Sequence, residues 1–313
     1  MTAKSMLFTR HCEVKNCPAS VTVSENAVPH PASAPDGLIR LGEQPGLTTY
    51  LKNVWRRRTF AFENARGELH AQHMDTALGN AWHLLNPILL IGVYYLVFDV
   101  ILNATRGVEN FIVYLAVGVL AYHWAQKTVT AGAATIVSNE GLIRSLAFPR
   151  ILLPLSTCVQ HTYAFLPSLL VMIAVTFAFG ERPGFGLLMV IPAFVLQVAF
   201  ITGVSLLAAR AADAFRDTLN LLPFLFRLVF YGSGILYAVD DRFHDAFAHP
   251  IVTFIFIANP FYALVSVWRS AVMSSQPIAL LGWLWMSATI WSIAVLVIGL
   301  LVFRAGEAGY GRA

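Results

Sequence analysis

Few residues in this chain have the types and spacing that chemistry needs. Asp240, Asp241 and Asp245 in DDRFHD form its one acidic cluster, and clustered carboxylates can hold Mg²⁺. Metal-assisted transfer of an isoprenoid group in a membrane would need a second acidic motif facing the first. None exists, so DDRFHD reads as a solvated outer loop. The nine histidines are scattered and form no ligand set. Of the three cysteines, Cys12 and Cys17 lie in a polar tail without paired histidines, and Cys158 lies in an apolar run, so no metal site is expected. GxxxxGK[ST] is absent, which leaves no P-loop to hydrolyse ATP; HExxH, CxxC and GxSxG are absent too. The pattern is that of a non-enzyme that binds no cofactor of its own.

A sharper signal is a cation inside an apolar run. Arg227 lies in NLLPFLFRLVFYGSG, where an unpaired charge in a bilayer costs several kcal/mol. At helical spacing Asn220, Phe224, Arg227, Tyr231 and Gly234 share one stripe, which is expected to face the protein interior. Either Arg227 pairs internally, or it lines a path and meets an anionic substrate. Lys127, near the inner end of another apolar run, can snorkel to headgroups and is a second candidate for the path. Aromatics gather where a conduit could run: Tyr94, Tyr95 and Phe98; Tyr114, Tyr122 and Trp124; Phe254, Phe256, Phe261 and Tyr262. Their faces suit the C–H faces of sugars, though belts at the membrane surface use the same residues.

Between two long apolar runs lies SNEGLIRSLAFPRILLPLS, Ser138 to Ser156. The expected helix, 138–148, takes Ser138 or Asn139 as N-cap, and Glu140 and Arg144 suit its dipole. Gly141 follows, and Leu142 and Leu146 with Ile143 form an apolar edge, until Pro149 stops the helix. A charged helix between two spans must project from the membrane or lie on it, where a soluble protein can grip it.

These pieces need a membrane to position them. The chain is 57% hydrophobic and 12% charged, with mean hydropathy +0.65, whereas soluble domains carry about 25% charged residues. No apolar segment follows Met1, which predicts no cleavable signal peptide. Residues 1–46, rich in Pro, Ala, Ser and Thr, read as a disordered cytoplasmic tail. Residues 47–80 are helical and basic (Lys52, Arg56, Arg57, Arg58, Arg66) with Trp55, Phe60 and Phe62 interleaved, which suits an anionic leaflet better than nucleic acid. Spans are expected at 82–102, 111–133, 157–179, 187–209, 219–239 and 280–303, each about the 20 residues that a core about 30 Å thick requires. Stretch 251–273 is long enough to span, but Asn259-Pro260 breaks it and it contains Arg269. Six spans put Arg144, Arg150, Arg210, Arg216, Arg304 and Arg312 inside; a seventh would move Arg304 and Arg312 outside. The positive-inside rule therefore favours six, with 251–273 as two short re-entrant helices and 306–313 as a cytoplasmic tail.

Four ordered blocks carry a family likeness: LGNAWHLLNPILL, NEGLIRSLAFPRILLPLS, FRDTLNLLPFLFRLVFYGSGILY and ANPFYALVSVWRSAVM. They resemble the membrane subunit of ABC-2 (type V) exporters over about residues 65–305, most of all the branch that moves O-antigens, teichoic acids or galactan. The resemblance implies an all-α membrane fold of six transmembrane helices. It also implies an amphipathic interface helix at about Glu68 to Asn80 and a coupling helix (Ser138, Asn139, Glu140, Gly141, Leu142, Arg144) seated in an ATPase. An outer gate (Phe254, Phe256, Asn259, Pro260, Phe261, Tyr262) is implied as well. Two copies of the chain would pair with two copies of a nucleotide-binding subunit, which would hold ATP and Mg. The first, second and fifth spans would bound a channel for a lipid-linked polysaccharide in the bacterial cytoplasmic membrane. The alternatives are export of drugs or small lipids by the same architecture, a polyprenyl-lipid-dependent transferase, and a structural scaffold.

Overall fold

A computed structural model of the chain describes residues 46–71, 79–102, 108–145, 148–182, 184–237, 239, 250–275, 278, 280–307 and 309–310. All of these belong to one unit, Gln44–Ala313. Residues 1–45 of the expected tail, the cluster Asp240, Asp241 and Asp245, residues 72–78 of the expected interface helix, and Leu146 lie outside the described residues.

Every regular element among the described residues is helical. An amphipathic helix, α1 (Leu47–Arg56), and a second polar helix, α2 (Arg58–Ala71), precede α3 (Trp82–Tyr95), which runs on as a π-helical turn, Leu96–Ile101. Then come α4 (Phe111–Ser138), α5 (Glu140–Ser145), α6 (Leu152–Ala178), α7 (Val190–Ala214), α8 (Thr218–Gly232), α9 (Pro250–Ala258), α10 (Pro260–Val272) and α11 (Leu281–Gly306). Four segments are long and apolar enough to cross a membrane: Trp82–Ile101, Leu152–Ala178, Gly186–Ala214 and Leu281–Gly306. The bent pair 251–272 makes a fifth if counted as one span. The chain is thus a multi-pass membrane protein.

α4 is the hub and touches α3, α6, α7, α8 and α10. Neighbouring helices cover most of it; His123 and Gln126 are partly buried, and Lys127 is exposed. Glycine lets two helices come together elsewhere. A Cβ on Gly203 of α7 would sit 2.5 Å from the Val295 carbonyl of α11, and one on Gly299 would sit 2.5 Å from the Gly203 carbonyl. Close backbone approach of this kind is how helices pack in lipid, where apolar burial contributes little between them.

The two ends of the bundle differ. At one end Tyr50 of α1, Ile136, Ile143, Ile151, Leu206, Phe303 and Tyr310 form a single buried cluster. This end gathers the end of α4, α5, the starts of α6 and the ends of α7 and α11. At the other, Glu181 accepts from Asn110 Nδ2 (2.7 Å), Ser274 N (2.9 Å), Ser274 Oγ (3.1 Å), Ser275 N (3.1 Å) and Ser275 Oγ. Burial alone would push this carboxyl up, but the donors from Ser275, Asn110 and Ser274 outweigh it and hold it at about 2. Burial raises the Tyr50 and Tyr310 phenols at the first end, with Glu307 adding to Tyr50 and the Arg210 cation opposing it at Tyr310.

Several expected boundaries change. The helix expected over 219–239 stops at Gly232: Gly234 takes φ +58, and its Cβ would meet the Val239 side chain at 2.7 Å. The helix expected over 138–148 is Glu140–Ser145. Ser138 and Asn139 do not N-cap it; their side chains bond back to Ala134 O (2.9 Å) and Thr135 O (2.9 Å), closing α4. The expected tail at 306–313 is packed as far as Tyr310, which is 1% exposed, donates to Phe303 O (2.8 Å) and has its carbonyl held by Arg150.

Candidate functional site

α5 is a six-residue step whose buried residue, Ile143, anchors it in the cluster shared with α1, α6 and α11. Leu142 lies partly buried beside it. Gly141, Arg144 and Ser145 face outward. Glu140 pairs with Arg144 at 3.7 Å and with Arg216 at 2.9 Å. Arg216 sits two residues ahead of α8. With side chains 68% and 32% exposed, the Arg216–Glu140 pair contributes at most about 1 kcal/mol. The pair joins the start of α5 to the segment that leads into α8.

α8 buries a narrow face, Leu222, Phe226 and Phe230, one turn apart. Phe226 and Phe230 meet Tyr122 of α4 at 6.1 and 5.2 Å, and Tyr122 donates to Phe226 O. The expected stripe lies on the opposite side. Asn220, Phe224 (66%), Arg227 and Tyr231 (57%) are all exposed on this chain, not interior as the residue types led us to expect. Arg227 makes no hydrogen bond or ion pair with the described residues, so an internal partner there is not found.

Other path candidates separate. Tyr94 packs against Phe98, His123 and Phe230 at 6.2, 6.2 and 5.5 Å, a junction of α3, α4 and α8. Tyr95 is half-buried on the same helix. Tyr114 is buried, and its hydroxyl donates to Gly234 O (3.1 Å) and Tyr237 O (2.8 Å). Tyr122 and Trp124 are also core; the Trp124 ring stacks on Phe165 at 4.1 Å. Lys127 opens on a cavity between α3, α4 and α6 that no residue of the α8 stripe lines.

The outer pair is bent by 79° at Asn259-Pro260. Asn259 caps α10, accepting from Phe261 N (3.0 Å) and Tyr262 N (3.3 Å), and donates to Ser233 Oγ (3.1 Å) beyond α8. Phe261 packs on Tyr122 and Phe200, both at 5.3 Å, and Phe256 packs on Tyr262 at 5.1 Å. Phe254 is 72% exposed. One residue escaped sequence reasoning as a site. Arg269 is 3% exposed, lies 3.3 Å from the Tyr114 ring centroid, and donates to Gly234 O (3.0 Å) and Ile235 O (2.8 Å). It satisfies the carbonyls orphaned where α8 ends and ties α10 to α8 and α4. The signal was available, since an arginine in an apolar stretch marks a buried partner as much as a broken span.

No protein-family model matches the sequence. Curated proteins do. The O-antigen export system permease protein RfbA of Klebsiella pneumoniae is 28% identical over 208 residues, 66% of this chain and 77% of the relative. A second Klebsiella pneumoniae protein of that name is 27% identical over 239 residues, 76% of this chain and 88% of the relative. Its Myxococcus xanthus namesake is 27% identical over 190 residues, 61% and 72%. The chain is similar along most of its length to O-antigen export permeases, consistent with an ABC-2 polysaccharide-exporter permease.

Proposed function

We propose that this chain is the permease half of an ATP-driven exporter that carries a lipid-linked polysaccharide, of the O-antigen or galactan kind, across the bacterial cytoplasmic membrane. A separate nucleotide-binding subunit holds ATP and Mg and hydrolyses the nucleotide, and two copies of each subunit make the transporter. α5 is the part the ATPase grips. The observation that carries the reading is the exposed charged step of α5, seated on Ile143 and linked by Glu140 to Arg216 at the root of α8. α8 presents a cation, Arg227, that has no ion pair among the described residues, on a face exposed in this chain. A push on α5 then shifts a helix whose free side meets the second copy or the cargo, a rigid-body motion of the kind transporters use.

Six crossings are supported by the sorting of contacts. Tyr50 and Tyr310 share one end, which requires an even number. Ser274 after α10 and Asn110 before α4 share the other through Glu181, which fits α9 and α10 entering and leaving on the same side. Both termini of the described chain are then cytoplasmic, and α9–α10 form a gate at the outer mouth. The test is co-purification of the tagged chain after detergent extraction. An ATPase subunit is expected in equal amount, and joint substitution Glu140→Ala, Leu142→Asp and Arg144→Ala is expected to release it. A partner retained by the triple variant refutes the role of α5.

A further inference from the structure

A cavity of about 610 Å³ opens between α3, α4 and α6, away from the α8 stripe. Its polar lining is one-sided in charge. Lys127, His83, His123 and His161 line it together with Asn86 and Ser168, and no carboxylate does. Lys127 lies close enough to His123 and His161 to act on both electrostatically, yet it makes no ion pair with the described residues. His123 Nε2 and Trp124 Nε1 are buried and have no hydrogen-bond partner among the described residues. Both nitrogens are sealed from the cavity, so the polar groups it offers a ligand are Lys127, His83, His161, Asn86 and Ser168. The remaining wall is apolar, with Leu89, Leu90, Val93 and Leu120.

A cation, amide, hydroxyl and imidazole side chains beside an aliphatic wall describe a ligand with an anionic, oxygen-rich head and a hydrocarbon tail. We propose that this cavity binds the phosphate head of a membrane lipid. Lys127 supplies the point charge, Asn86, Ser168 and the histidines that line the cavity supply hydrogen-bonding groups, and the Leu90–Val93 side of α3 holds the chain. Depth agrees. Trp82 and His83 at the start of α3 lie on the side of the bundle where α4 ends and α6 begins, the cytoplasmic end in the reading above. This site stands whether or not the cargo is a glycan, because it needs only a phosphate on a lipid.

The experiment is native mass spectrometry of the full chain released from nanodiscs. One set holds phosphatidylethanolamine with phosphatidylglycerol, a second holds phosphatidylethanolamine with undecaprenyl diphosphate, and a third holds diacylglycerol as a tail without a phosphate. The wild type is expected to retain a phosphate lipid and to release diacylglycerol. Lys127→Gln is expected to lower retention at least about tenfold, the equivalent of one charge-assisted hydrogen bond, and Lys127→Arg to keep it. Preference between the first two sets identifies the source as a glycerophospholipid or a polyprenyl diphosphate. Equal retention by wild type and Lys127→Gln overturns the proposal. So does a loss seen with Arg227→Gln in place of Lys127→Gln, which would put the phosphate on α8. Neither result depends on export or on the ATPase, so failure here is distinct from failure of the transporter reading.

Discussion

Glu181 offers a perturbation whose size can be worked out. Its carboxylate is 2% exposed and accepts hydrogen bonds from Asn110, Ser274 and Ser275, clasping the start of α4 to the turn after α10. The carboxyl is held at about 2 against an ordinary 4.5. At about 1.4 kcal/mol per unit, ionised Glu181 stabilises the folded chain by on the order of 3 kcal/mol. Because the folded value is the depressed one, that stability is fully present above about pH 5. It is lost as pH falls through the unfolded value toward about 2. Glu181→Gln cannot titrate, and it also turns an amide N–H₂ toward a ring of donors. The detergent-solubilised variant should therefore melt roughly 5 to 10 °C below wild type at pH 7, with the gap shrinking at pH 4 and closing near pH 2. Hydrogen exchange at the Ser274 and Ser275 amides, corrected for intrinsic rate, should follow the same course. A gap that keeps its size across that range, or none at pH 7, would refute the assignment of Glu181 as a charged clasp.

Outcomes at three further positions follow from the packing. Gly203→Leu should destabilise the chain by about 3 kcal/mol, the upper range for overpacking, because its Cβ would fall 2.5 Å from the α11 backbone. Gly282→Ala, with open space around it, should be neutral or slightly stabilising in the same thermal melt. Arg269→Met should cost about 1–3 kcal/mol by orphaning the Ile235 carbonyl, and Arg269→Lys should restore only part of it, since one ammonium cannot reproduce the planar fork over Tyr114; melting midpoints of the two variants check this.

Reading the sequence went furthest where the signal is local or additive. The membrane class follows from summed hydropathy, since transfer free energies add along the chain. The break at Asn259-Pro260 follows from proline's missing N–H, and the bend and N-cap stand at those two residues. The charged step after α4 was legible because Glu140 and Arg144 interrupt two apolar runs. Its exact extent was not: Ser138 and Asn139 could cap either the helix before or the helix after, and the choice went to α4.

What only the tertiary structure decided is partnership. Arg227 and Arg269 look alike in sequence, each a cation in an apolar run. One is exposed without a partner among the described residues, and the other is sealed against Tyr114 and two carbonyls contributed by a segment more than thirty residues away. Tyr114 and Lys127 likewise passed as neighbours on one path, yet Tyr114 is core and Lys127 faces a different cavity. The physical reason is that helical periodicity fixes which residues share a face, whereas the energy of a charge in low dielectric depends on what the rest of the chain sets against that face.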